Sequence, residues 1–148
     1  GVVERREGRP TPQSSQEDLL AELDAVVERL LGDDVAALGF GLPSTIDQAR
    51  GRAVASVHIP LEEMDFRDRM VERFGLPVGI DNDANAAAIA EWRLGAARGA
   101  SYVVMLTLGT GIVGGLILDG RPYCGWSGAA AELGHIVADQ VGEPRRGE

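Results

Sequence analysis

Apolar residues at helical spacing mark the first element of the chain. Aliphatic side chains recur every three or four positions over residues 19–31, which predicts an amphipathic helix that ends near Gly32. Ser14, followed three positions later by Glu17, has the spacing of a capping box at the start of this helix. The pattern therefore predicts a helix with one buried face that begins close to Ser14.

Two further helices alternate with short strands in the same half of the chain. Phe66, Met70 and Phe74 recur at four-residue spacing, which predicts a helix ended by Gly75. An alanine-rich stretch predicts another helix over residues 84–94. Apolar runs predict strands over residues 35–41, 54–59 and 77–80, and the polar residues 44–51 are expected to form a loop. Helices that alternate with such strands indicate an α/β layer.

The pattern changes in the last third of the chain. Residues 102–108 and 112–118 are apolar and β-branched, and a Gly-Thr-Gly turn separates them, which predicts a β-hairpin. A second tight turn is expected at Asp119 and Gly120. Residues 95–100 are mostly glycine and alanine, which makes this segment flexible. We therefore expect a domain boundary there, between residues 1–97 and residues 98–148.

Composition and charge exclude several classes of protein. Apolar content of 45% and charged content of 25% are typical of a globular protein. A formal charge of −9 argues against binding to nucleic acid, which requires a basic face. No apolar run approaches the roughly 18 residues of a membrane span, and the chain start lacks a signal peptide's apolar centre. We therefore expect a cytoplasmic protein with no membrane partner. One cysteine, Cys124, excludes an internal disulfide framework.

Asp83 lies where a predicted strand runs directly into a predicted helix. Ligands bind at such junctions in open α/β sheets, and the helix N-terminus stabilises an anion. An ionised carboxylate there can accept the proton of a substrate hydroxyl that attacks a phosphoryl group. The alternative is that Asp83 simply caps the helix, because Asp is a preferred capping residue.

Two other segments carry residues suited to the same chemistry. Gly109, Thr110 and Gly111 offer backbone N–H groups and a hydroxyl to a phosphate, although glycine-rich hairpin turns are also common without any ligand. Glu132 and His135 lie three positions apart, a spacing that also suits an ion pair at a helix end or two metal ligands.

The segments IDNDANAAA, LTLGTG and AAAELGH, in this order, resemble those of the ROK (repressor, ORF, kinase) family of sugar kinases, especially its bacterial glucokinase branch. The resemblance extends from about residue 11 to residue 135. It implies an α/β fold of the actin/hexokinase (ribonuclease H-like) type, with two domains and the sugar between them. Only the latter part of the first domain and the start of the second would be present, because the family's first phosphate loop and its adenosine-binding segment are missing from this chain.

The resemblance assigns a role in sugar binding to several residues. Asp83 would be the catalytic base, and Asn82, Glu132 and His135 would hold sugar hydroxyls. His58 stands where relatives commonly have an asparagine, so it would either reach the sugar or be a surface histidine. The neighbouring residues Asp81 and Asn85 are expected to cap or brace the turn.

The resemblance also implies ATP and Mg²⁺ as cofactors, with the phosphates held by Gly109, Thr110 and Gly111. This chain has Val113 where the family usually has a glycine, and a β-branched residue would be strained there if the position required a positive φ. Most family members also hold a structural zinc through the histidine of ELGH and three later cysteines. No cysteine follows His135, and structural zinc takes four ligands. We therefore expect no metal site formed by this chain.

The sequence predicts that the parent protein is an ATP-dependent hexose kinase acting on a hexose or an N-acetylhexosamine. We expect the full-length parent to be a homodimer and this chain alone to be inactive. Two alternatives stay open. A sugar-responsive transcriptional repressor of the same family would carry a helix-turn-helix ahead of Gly1. A non-catalytic remnant is favoured by the missing loops, the missing cysteines and Val113.

Overall fold

The computed structural model describes residues 2–109, 111–126 and 128–136. Helices and strands alternate along this part of the chain, in agreement with the predicted α/β layer. In chain order they are α1 (Gln16–Leu30), β1 (Leu38–Leu42), β2 (Thr45–Asp47), β3 (Arg52–Ala55), α2 (Phe66–Phe74), β4 (Val78–Asn82), α3 (Asp83–Leu94), β5 (Val103–Leu108), β6 (Ile112–Leu118), β7 (Arg121–Pro122) and a 3₁₀ turn at Leu133–His135. Within the described residues, no helix is long and apolar enough to span a membrane.

Helix α1 is amphipathic as predicted, but its cap lies one residue later than expected. The hydroxyl of Ser15, not Ser14, accepts the N–H of Asp18 at 3.0 Å. Ser14 instead donates its hydroxyl to the Asp18 carboxylate, so the predicted capping box with Glu17 is wrong. The Ser14 hydrogen bond, followed by that from Ser15, lowers the pKa of Asp18.

The parallel pair β1–β4 fixes the position of Asn82 and Asp83, which lie where β4 ends and α3 begins. Its register runs from Leu38 opposite Val78 to Leu42 opposite Asn82. Both strands start later than predicted. In the case of β1, the Val35 N–H donates a hydrogen bond to the Gly32 carbonyl at 3.1 Å, and the strand begins only at Leu38. Because the strands are parallel, their carboxyl ends meet at one edge, where α3 begins.

The segment between β1 and α2 differs most from the prediction. The expected loop over residues 44–51 contains β2, which pairs antiparallel with β3. The strand expected over residues 54–59 ends at Ala55, because the Ser56 hydroxyl accepts the N–H groups of His58 and Ile59 and bends the chain into a turn.

Helix α2 forms the centre of the first hydrophobic core. Gly75 ends it in the left-handed conformation, at φ 68°, as predicted. Its two inward residues, Phe66 and Met70, are fully buried. They pack with the other members of the core, which are Leu20, Leu42, Ile46, Ala53, Leu61 and Ile80.

The predicted hairpin is confirmed, and it packs directly against α3. Strands β5 and β6 are antiparallel, with Val103 opposite Ile117 and Leu108 opposite Ile112. A side chain at Gly115 would come within 2.3 Å of the Ala88 Cβ atom, so only a glycine allows β6 to approach the helix this closely. The predicted tight turn after β6 is also confirmed, with φ 51° at Asp119 and 67° at Gly120.

Candidate functional site

The start of α3 presents Asp83 to solvent. Asn82 is the N-cap residue: its Oδ1 accepts the N–H groups of Ala84 at 3.0 Å and Asn85 at 3.2 Å. Asp83 is the first residue of the helix, exposed, with its Oδ1 2.9 Å from the Ala84 nitrogen. The capping alternative for Asp83 is therefore wrong, because its neighbour fills that position.

Asp81 and Asn85 brace this junction, as expected. The Oδ1 atom of Asp81 accepts the Asn82 N–H at 2.8 Å and the Asn85 side-chain amide at 3.3 Å. Asn85 is buried, so its amide depends on these partners. These bonds tie together the residues on both sides of Asp83.

The end of β1 lies against Asp83. A Cβ atom at Gly41 would be 3.3 Å from the Asp83 Cα, and the Ser44 carbonyl accepts the Asn82 side-chain amide at 3.4 Å. Neither Gly41 nor Ser44 was predicted as a site residue from the sequence. Glycine in a strand was the available signal for Gly41, since it often marks a close backbone approach.

His58 is exposed and lies on the turn that follows β3. The Ser56 hydroxyl, which accepts the His58 N–H at 3.3 Å, also donates to the Pro43 carbonyl. The turn that carries His58 is therefore hydrogen-bonded to Pro43. The next residue, Ser44, is the one whose carbonyl accepts the Asn82 side-chain amide.

Gly109 and Gly111 lie at the tip of the β5–β6 hairpin, and Thr110 lies outside the described residues. The Gly109 N–H donates to the Gly111 carbonyl at 3.0 Å, and a Cβ atom at either glycine would meet nothing within 4 Å. Both glycines are thus open to solvent. Val113 lies in β6 opposite Thr107 and has no positive φ, so the strain considered for it does not arise.

Glu132 immediately precedes a single 3₁₀ turn and His135 is its last residue, and both are exposed. The Glu132 Oε2 and His135 Nε2 atoms are 3.9 Å apart, too far for a hydrogen bond. A Cβ atom at Gly134 would be 2.2 Å from the Ile112 carbonyl oxygen, so this turn packs on the first residue of β6, beside the hairpin tip. In the part of the chain that the structure describes, no three His, Cys, Asp or Glu side chains form a group that could hold a metal.

Cys124 connects the second part of the chain to the start of α3. Its sulfur accepts the Asn85 side-chain amide at 3.4 Å. Burial, and secondarily the charge of Asp81, raises the pKa of the Cys124 thiol. The contact with Asn85 was not predicted, because it joins positions far apart in the sequence.

Comparison with known proteins places these segments in one family. The sequence profile of the ROK family matches residues 1–146. The chain belongs to the ROK family. A glucokinase of Streptomyces coelicolor is 35% identical to this ROK chain over 127 residues, which are 86% of the chain and 40% of the glucokinase. A glucokinase of Halalkalibacterium halodurans is 38% identical and matched over 38% of its length. The ROK chain thus spans about 40% of the curated relatives it matches.

Solved ROK structures have the same fold. A glucokinase from Streptomyces griseus, in complex with glucose and AMPPNP, superposes with a TM-score of 0.78 at 38% identity, over 87% of this chain and 41% of that one. A ROK transcriptional regulator superposes with a TM-score of 0.80 at 28% identity, over 90% and 35% of the two chains. The fold is therefore part of an α/β actin/hexokinase-like structure, as predicted.

Proposed function

We propose that this ROK chain is the sugar-binding part of an ATP-dependent hexose kinase, with Asp83 as its catalytic base. The main support is the position of Asp83, exposed at the first turn of α3 and fixed on both sides by Asp81 and Asn85. The solved glucokinase with 38% identity was crystallised with glucose and a nucleotide analogue, which supports the same substrate classes here.

The described contacts suit these roles. The exposed Asp83 carboxylate would take the proton of the attacking sugar hydroxyl. The Asn82 Oδ1 caps α3, whereas its Nδ2 makes one long, 3.4 Å bond to the Ser44 carbonyl, so the N–H groups of this amide can donate to a sugar hydroxyl while the cap stays in place. Glu132 and His135 make no hydrogen bond to each other, and both would bind hydroxyls. His58 would approach from the turn after β3.

The hairpin tip fits a phosphate group. Gly109 and Gly111 present backbone without side chains, and Thr110 would add a hydroxyl; a phosphate would displace the bond from Gly109 to Gly111. ATP supplies the phosphoryl group, and Mg²⁺, which binds largely through phosphates and water, neutralises its charge. Within the part of the chain that the structure describes, Cys124 faces Asn85 and does not join His135 in a zinc site.

We also propose the division into residues 1–97 and 98–148, in the gap between the end of α3 and the start of β5. The second part would be the beginning of the C-terminal domain. Homodimerisation of the full-length parent stays a prediction.

A sugar-responsive repressor is the second candidate. A putative xylose repressor of Caldicellulosiruptor is 28% identical over 84% of this chain, and the superposed transcriptional regulator supports the same alternative. Such a protein would keep the sugar-binding residues. A helix-turn-helix encoded upstream would favour it, whereas an Asp-x-Gly-Gly-Thr loop would favour the kinase.

The test is Asp83→Asn in a full-length kinase that contains this segment, either the parent or the Streptomyces griseus enzyme with the segment exchanged. An amide keeps the shape of the side chain but takes no proton, so kcat should fall by about 10²–10⁴ while sugar affinity changes little. Asp68→Asn, on the exposed first turn of α2, is the matched control. Near-normal kcat of the Asp83 variant on several hexoses would refute the assignment.

A further inference from the structure

A backbone hydrogen bond closes the loop whose described residues are 124–126 and 128–130, called here the Cys124 loop. The Ala130 N–H donates to the Cys124 carbonyl at 3.1 Å and closes the loop. Gly125 and Gly128 have φ values of 70° and 84°, which favour glycine. The closing hydrogen bond and the two left-handed glycines define the turns at the two ends of the loop.

The Cys124 loop touches the candidate site on more than one side. At its start, the Cys124 sulfur lies 3.4 Å from the Asn85 amide, next to the start of α3. Near its end, a Cβ atom at Gly128 would be 3.2 Å from the Ile46 carbonyl of β2. Glu132 follows the loop almost immediately. The loop thus connects the three segments that carry Asp83, the end of β1 with β2, and the Glu132–His135 turn.

Trp126 lies on the outer part of this loop, with a relative exposure of 102%. The other tryptophan, Trp92, is partly buried and donates its ring N–H to the Ala100 carbonyl at 2.8 Å. The Trp126 Cα lies within about 7.6 Å of the Cys124 Cα, since two peptide units span no more than that. An exposed indole therefore lies two residues along the chain from Cys124, whose sulfur contacts Asn85 in the first turn of the Asp83 helix.

We propose that Trp126 stacks on the apolar C–H face of the bound sugar and contributes to its selection. A pyranose has hydroxyls around its rim and C–H groups on its faces. Asn82, Asp83 and Glu132 suit the rim, and an aromatic face, whose quadrupole attracts polarised hydrogens, suits the C–H side. The proposal rests on the proposed function, because it requires a sugar at Asp83. It adds a contact that the polar residues cannot make.

The test uses the 148-residue polypeptide and its two tryptophans. In Trp92→Phe, Trp126 is the only indole, and its fluorescence is followed during titration with D-glucose, D-mannose, N-acetyl-D-glucosamine and N-acetyl-D-mannosamine. A bound sugar should shift the emission to shorter wavelength and reduce quenching by acrylamide. D-Sorbitol, which has hydroxyls but no ring face, should do neither. In Trp126→Phe, which retains only Trp92, the emission should not respond.

Calorimetry on the otherwise unaltered chain measures the contribution of Trp126 to sugar affinity. Trp126→Ala should raise the Kd for the best sugar about tenfold, and Trp126→Phe should restore most of the affinity because it keeps an aromatic face. Unchanged affinity in Trp126→Ala, together with lost binding in Glu132→Gln, would overturn the stacking proposal and leave the proposed function intact. If none of the four sugars bound the unaltered polypeptide, both would fall.

Discussion

Gly115→Ala tests whether the close packing of α3 on β6 determines the position of the candidate site. The added Cβ would lie 2.3 Å from the Ala88 Cβ and 3.0 Å from the Ala84 carbonyl oxygen. Carbon atoms pack at about 3.5–4.0 Å, so the helix would have to move by about 1.2–1.7 Å. Overpacking of this kind costs about 1–3 kcal/mol of unfolding free energy. Because Ala84 follows Asp83 directly, sugar affinity should fall as well.

The control for this variant is Gly79→Ala in β4. A Cβ atom there meets nothing within 4 Å, so the substitution should be neutral or should stabilise the fold by about 0.4–1 kcal/mol through the unfolded chain. Urea unfolding followed by circular dichroism would measure both variants. We expect them to differ by about 2–3 kcal/mol. Equal midpoints and slopes would show that α3 does not approach β6 as closely as described.

A second substitution checks the mechanism of the loss. Ala88→Gly in the Gly115→Ala background removes the closest contact, although glycine inside a helix costs about 1 kcal/mol. If the clash is the cause, Ala88→Gly should be less harmful in that background than in the unaltered chain. The double-mutant cycle should therefore give a favourable coupling energy. Simple additivity would contradict the packing argument.

Three further predictions address the helix cap, the thiol and the metal. Ser15→Ala should lower the free energy of unfolding by about 1 kcal/mol because it removes the N-cap acceptor, whereas Ser14→Ala should cost clearly less; equal losses in urea titrations would contradict the assigned cap. The thiol of Cys124 should react slowly with iodoacetamide at neutral pH and faster as the pH rises towards its raised pKa, and Asp81→Asn should shift that profile to lower pH by removing a negative charge; an unshifted profile would exclude the charge effect. Elemental analysis of the purified 148-residue polypeptide should find well under one zinc per chain, and a stoichiometric zinc that survives dialysis would mean that His135 has ligands not anticipated from the sequence.

Local periodicity was sufficient to predict the helices and the hairpin. The repeat of Phe66, Met70 and Phe74 was enough to predict α2. A helix satisfies its backbone hydrogen bonds internally and buries one face at a spacing visible in the sequence. The apolar runs of β5 and β6 flank a glycine turn and pair with each other, so the sequence also contains both partners of that sheet. The junction at Asp83 was recognised for the same reason, since strand and helix adjoin in the chain.

The boundaries that were wrong depend on partners elsewhere in the fold. Ser14 and Ser15 each precede an acidic residue by three positions, and the phase that buries Leu20 and Val27 selects Ser15 as the cap. Strand β2 is largely polar and has no apolar run of its own. It forms because β3 offers a ladder of hydrogen bonds.

Tertiary structure alone decided how the candidate site is assembled. The contacts of Gly41 with Asp83, of Cys124 with Asn85 and of Gly115 with Ala88 join segments that lie far apart in the chain. None of them leaves a local pattern, since each depends on which surfaces pack together once the sheets have formed. Sequence periodicity records the face that an element buries, but only packing selects the residues that this face meets.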